Sequence, residues 1–113
     1  MEQRDLLLVP FPFSDQSGRK VRPVIVISNN DFNTYSEDII VVGVTSNISK
    51  DKYTIGLTNN GLEEGKLSTL CCIKAENILK IEKGLVIKKI GKIKTNILKE
   101  ISARVFELIR EDN

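Results

Sequence analysis

Val24-Ile25-Val26-Ile27, opened by Pro23, and Ile39-Ile40-Val41-Val42-Gly43-Val44 constrain this chain most. β-Branched side chains lose rotamer freedom in a helix and fit a pleated surface, and runs this short are strand-sized rather than helix- or membrane-sized. A third run, Asp5 to Val9, stops at Pro10 and Pro12, which cannot continue a strand ladder. Tyr53 to Leu57 alternates more weakly, and Leu67 to Ile73 gives a fifth expected strand. Turn-rich segments separate them: Ser14 to Gly18, Ser28 to Asn33, Ser46 to Asp51 and Asn59 to Gly65. Several short strands so connected predict a mainly β protein, a small antiparallel barrel or half-open sheet.

The end of the chain changes period. Ile97, Leu98, Ile101, Val105, Leu108 and Ile109 recur at three- and four-residue spacing, with Thr95 or Asn96 placed to cap the start. One C-terminal amphipathic helix is predicted. Residues 84 to 93 fit a short helix or a strand equally, and Gly91 weakens both. At 113 residues the chain is long enough for one core and too short for two, so a single domain over 1–113 is expected.

The composition removes whole classes of chemistry. With no histidine, a His/Cys zinc site, a Ser-His-Asp triad and a two-histidine nuclease are excluded. Cys71 and Cys72 are adjacent, and in a strand they point to opposite faces, which suits small apolar fillers rather than a disulfide or a shared metal. No apolar run approaches the roughly 20 residues of a membrane helix, and Met1 to Asp5 lacks the basic-then-apolar layout of a secretory leader. No membrane association and a cytoplasmic location are the expectation.

Charge is nearly balanced overall, at +2, but unevenly spread. Lys74, Lys80, Lys83, Lys88, Lys89, Lys92, Lys94 and Lys99 face only Glu76 and Glu82 between positions 74 and 99. That density reads equally as half of a polyanion footprint or as a solvated surface. Arg19, Lys20 and Arg22 crowd four positions at the mouth of the Val24 strand.

These pieces, in order, resemble a known family. "RDLLLVPFPF", a polar loop, "RPVIVIS", "VVGVTS", then "GLEEGKLSTLCCIKAENILKIEKG" and "KIGKI" before the final helix resemble the MazF/PemK toxins of type II toxin–antitoxin systems. The resemblance spans nearly the whole chain. It implies an SH3-like barrel with a C-terminal helix, and a homodimeric endoribonuclease that cuts single-stranded RNA without metal or other cofactor. It also implies a cognate antitoxin whose disordered segment covers the RNA groove. Arg22 matches the arginine of the family's RPV motif and Thr45 the threonine closing the third strand, followed by the small polar Ser46. Lys74 and Glu76 fall where Kid-type relatives place an arginine and an aspartate as acid and base. Two departures stand out: Arg4 occupies the place of a glycine before the first-strand aspartate, and Leu79 replaces a frequent arginine, leaving Lys80 to meet phosphate.

The chemistry those residues suit is attack by the RNA's own 2′-hydroxyl on phosphorus, giving a 2′,3′-cyclic phosphate and a 5′-hydroxyl. Arg22, a permanent planar cation on a rigid strand, suits stabilisation of phosphoryl charge and not proton donation. Glu76 is the available base, and Lys74, two positions away, either lowers its pKa or serves as acid. Thr45 donates to a phosphoryl oxygen or orients the 2′-hydroxyl. Arg19, Lys20, Ser46, Asn77 and Lys80 are candidate RNA contacts. Each has a structural alternative: a surface pair of Arg22 with Asp5 or Asp15, a strand end for Thr45, a cross-face pair for Lys74 and Glu76, and a turn cap for Asn77. Phe11 is expected in the core, whereas Phe13, Phe32 and Tyr35 suit either core or base stacking. Two rival functions remain: a non-catalytic barrel that only binds nucleic acid, and a gyrase-poisoning toxin of the same fold. The latter calls for a tryptophan near the C-terminus, and this chain has none.

Overall fold

The computed structural model describes residues 1–10 and 21–112, which places Phe11, Phe13, Arg19 and Lys20 outside the described residues. Seven strands form one sheet: β1 Asp5–Pro10, β2 Val21–Val26, β3 Asp38–Thr45, β4 Thr54–Leu57, β5 Leu62–Gly65, β6 Cys71–Glu82 and β7 Lys88–Ile93. Helix α1 (Asn30–Tyr35) joins β2 to β3, and α2 (Thr95–Ile109) ends the fold. The strand order is β4-β6-β3-β2-β1-β7-β5, and every pairing is antiparallel. This is the expected mainly β architecture with a C-terminal helix.

The unbroken apolar runs have a physical reason: both faces of the central strands are covered. Leu6, Ile25, Val42, Val44, Ile55, Leu57, Ile73 and Ile93 make one core with Ile97 and Ile101 of α2. Leu7, Val9, Val24, Val26, Ile39 and Val41 make a second on the opposite face, against Leu79, Ile81 and Val86. Neighbouring residues such as Leu6 and Leu7 alternate between the two, as strand geometry requires. Cys71 and Cys72 are both buried and unbridged.

Several expectations are corrected. Ser28 to Asn33 is mostly α1, capped by Asn29, whose Oδ1 accepts from the Phe32 N–H at 2.8 Å. Asn59 to Gly65 contains a 3-10 turn at Asn59–Gly61 and then β5. The strand expected at Leu67 to Ile73 begins only at Cys71 and runs on to Glu82. The ambiguous segment resolves as the end of a 3-10 turn, Lys83–Leu85, followed by β7. Gly91 belongs there because a Cβ would lie 2.7 Å from the Glu64 carbonyl oxygen, so only glycine allows this approach of β7 to β5.

On α2, neither Thr95 nor Asn96 caps; Lys94 holds the cap position without a side-chain hydrogen bond. Ile97 and Ile101 are buried and Leu98 and Val105 pack against the core, but Leu108 and Ile109 are exposed, with Ile109 at 70%. The last turn outruns the packed surface.

Arg4 adopts φ +81°, a left-handed conformation that a glycine takes without strain. Its guanidinium is held by Glu63 at 2.8 Å and by the Ile93 carbonyl at 2.9 Å. Those bonds tie the turn before β1 to β5 and β7.

Candidate active site

β2 and β3 run antiparallel with Val24 opposite Gly43. Continuing that register two residues brings Arg22, near the start of β2, beside Thr45 at the end of β3, and both line one groove. The period of two puts both on the face that carries Val24 and Val41. Because β6 flanks β3, it adds Lys74, Asn77 and Lys80 from the other side. These five line one groove of about 340 Å³, floored by Val9, Pro23, Val24, Leu79 and Ile81. Residues from three strands, far apart in sequence, thus converge on one groove.

The Thr45 hydroxyl oxygen accepts from the Asn47 N–H at 3.1 Å. That bond occupies one lone pair and leaves the hydroxyl proton available to donate. Lys74 is held more firmly. Its Nζ donates to Ser49 Oγ at 3.1 Å, Asp51 Oδ2 at 2.8 Å and Thr54 Oγ1 at 3.0 Å, with Glu76 Oε2 at 3.7 Å. The hydrogen bond to Asp51 raises the Lys74 pKa above its ordinary value, while the same bond lowers that of Asp51. All three ammonium protons are engaged within the protein, so Lys74 is a fixed cation rather than a ready proton donor. Glu76 is exposed and lies outside the lining of the groove, joined to it through Lys74.

A bulge in β6 creates this arrangement. Val42 pairs with Ile78, but the next residue, Gly43, pairs with Lys74, so Ala75, Glu76 and Asn77 bow out of the ladder. Ala75 is buried and its N–H donates to the Tyr53 carbonyl at 3.0 Å, which anchors the bulge inward. Asn77 folds back over Gly43: a Cβ on Gly43 would sit 2.4 Å from Asn77 Nδ2. The missing side chain is the seat of the Asn77 amide.

The remaining candidates divide. Lys80 is on the rim of the groove, 3.8 Å from Asp38. Ser46 lies in a second groove of about 300 Å³ that shares Arg22, Pro23, Val44 and Thr45 with the first. Asp5 is buried and pairs with Lys89 and Lys92 of β7. Phe32 and Tyr35 stand exposed on α1, away from both groove linings. Sequence reasoning missed Gly43, Ser49, Asp51 and Thr54. A polar Ser46 to Asp51 loop was visible, but nothing local tied it to Lys74.

Comparison with known proteins places the chain in a family and its fold among solved structures. Residues 2–109 match the family described as PemK-like, MazF-like toxin of type II toxin–antitoxin system. The chain is 31% identical over 97 residues to Endoribonuclease MazF of Staphylococcus saprophyticus, covering 84% of this chain and 77% of that one. Among solved structures, a MazE–MazF crystal structure from Deinococcus radiodurans superposes with a TM-score of 0.79 at 16% identity, covering 99% and 98% of the two chains. The Mycobacterium tuberculosis toxin MazF-mt6 superposes with a TM-score of 0.77 at 13% identity, over 97% of this chain and 100% of that one. The architecture is therefore that of these toxins, and the chain belongs to the PemK-like, MazF-like toxin family of type II toxin–antitoxin systems.

Proposed function

We propose that this toxin-family endoribonuclease cuts single-stranded RNA across the Arg22–Thr45 pair by in-line attack of the substrate's 2′-hydroxyl. The observation that carries the reading is the convergence of Arg22, Thr45, Lys74, Asn77 and Lys80 on one groove. Arg22 holds the phosphoryl oxygens as negative charge develops, and the Thr45 hydroxyl donates to one of them. Glu76 takes the 2′-hydroxyl proton, oriented by the fixed Lys74 ammonium. The bond from phosphorus to the 5′-oxygen breaks, and the leaving oxygen is protonated by water entering the open groove. Products are a 2′,3′-cyclic phosphate and a 5′-hydroxyl.

Asn77, Lys80 and Ser46 complete the RNA contacts among the described residues. The groove also suits an acidic segment of an antitoxin; a mycobacterial endoribonuclease solved in complex with its cognate antitoxin shares this fold with a TM-score of 0.76. The working form is a cytoplasmic homodimer. No helix among the described residues is long and apolar enough to cross a membrane.

The test incubates wild type and Arg22→Ala with long mixed-sequence RNA in chelator, followed by mapping of the new ends. Wild type is expected to cut at a short recurring sequence and leave cyclic phosphate. The variant is expected to cut about 100- to 1,000-fold more slowly, the usual cost of one preorganised donor. Binding without cleavage by folded wild type, across RNAs covering all short sequences, replaces this reading with a non-catalytic RNA-binding barrel.

A further inference from the structure

The Arg22–Thr45 pair is a ridge between two grooves, and only the first carries Asn77 and Lys80. The second is bounded by Lys66, Leu67, Ser68 and Thr69 of the β5–β6 loop, with Val21 on β2 and Ile90 on β7. Among the lysines, Lys66 alone lines this second groove, and no ion pair engages it among the described residues. An exposed cation and two exposed hydroxyls thus face apolar walls across a cleft that reaches Arg22 and Thr45. That combination fits a nucleotide: a flat apolar base against Val21, Leu67 and Ile90, and a sugar–phosphate along Lys66, Ser68 and Thr69.

We infer that the second groove binds the RNA nucleotide flanking the scissile phosphate on the side away from Asn77, with Lys66 as its phosphate contact. The inference rests on the nuclease reading above. Strand geometry supports the path, since a chain leaving the first groove over Arg22 and Thr45 enters the second directly. Ser46, at the end of β3, borders only this second groove. Its contact is therefore with the same flanking nucleotide.

The test uses synthetic oligoribonucleotides of the sequence mapped for wild type, cut back one nucleotide at a time from either end. For wild type, kcat/KM rises as nucleotides are added on each flank. In Lys66→Ala the rise on one flank shrinks about 3- to 10-fold while the rise on the other persists, and Lys66→Arg restores it. Binding of the same oligonucleotide with a 2′-deoxy residue at the cut, which cannot react, loses about 0.7 from the slope of log affinity against log salt in Lys66→Ala, one phosphate contact on a single strand. Equal loss on both flanks, or none, with wild-type cleavage intact, overturns the second-groove assignment alone. Failure of wild type to cut any RNA overturns the nuclease reading itself, so the two failures are distinguishable.

Discussion

Lys74 on β6 and Lys92 on β7 are separated by three intervening strands, and both were part of the same lysine-rich stretch. Lys92 is buried, bonding Glu2 Oε1 at 2.7 Å and lying 3.8 Å from Asp5 Oδ1. That Asp5 oxygen is buried without a hydrogen-bond partner among the described residues, and its charge is met by Lys92 and by Lys89 at 3.4 Å. Lys74 also meets carboxylates, but its partner Asp51 is well exposed and the pair borders a groove. The difference shows how one residue type divides labour: where water is excluded a lysine neutralises a buried acid, and where water remains it fixes the shape of a site.

Breaking the buried side has the largest expected effect. Among the described residues, Lys92→Ala leaves the buried Asp5 carboxylate to Lys89 alone, and the expected loss is about 2 kcal/mol in denaturant unfolding, less than a fully orphaned buried charge costs. Cleavage per folded molecule should hold, because Lys92 lines neither groove. Lys74→Ala should do the reverse: the unfolding midpoint moves little, since Asp51 is left in water, while kcat falls by up to about 100-fold as Glu76 and the bulge lose their anchor. Equal effects of the two variants on stability and rate would dissolve the distinction.

Gly43→Ala sharpens the groove side further. The added methyl displaces the Asn77 amide, costing about 1 kcal/mol by unfolding and lowering cleavage through a disturbed bulge. Adding Asn77→Ala should recover stability but not cleavage, a non-additive pair that a double-mutant cycle reads directly. The smallest effect is on pH. The Asp51 pKa is lowered by Lys74, so the pair's contribution is present above the ordinary aspartate value of about 3.9 and disappears as pH falls through the lower folded value. The gap in melting temperature between wild type and Asp51→Asn should stay constant from neutrality to about pH 4 and close below it. The Lys74 pKa is raised, so its protonated form persists through neutrality and its share is lost only in strong alkali.

The strands at Asp5, Val24 and Ile39 and most of α2 were legible because β-branched runs and a helical stripe are written in neighbouring residues. Arg22 and Thr45 each end a recognisable strand, but it was the resemblance to the toxin family that singled them out as site residues. β6 beyond Ile73 was not, since Glu76 and Asn77 interrupt its apolar pattern and only the bulge explains how Ile78 to Glu82 rejoin the sheet. α1 hid in a polar stretch, although Asn29 was a cap in plain sight.

The lysine-rich stretch gave the wrong impression of uniformity. Its members separate by partners far away in the chain, Lys74 with Asp51 and Lys92 with Glu2. By itself the sequence determined a two-faced antiparallel sheet, a closing helix, and an arginine and a threonine at strand ends, because backbone preference and apolar burial depend on local pattern. Only the tertiary structure decided which cations are neutralised, where β6 bows, and that two grooves meet at Arg22 and Thr45. Those features depend on contacts between residues tens of positions apart, which take their geometry from how the sheet closes and not from any nearby stretch of sequence.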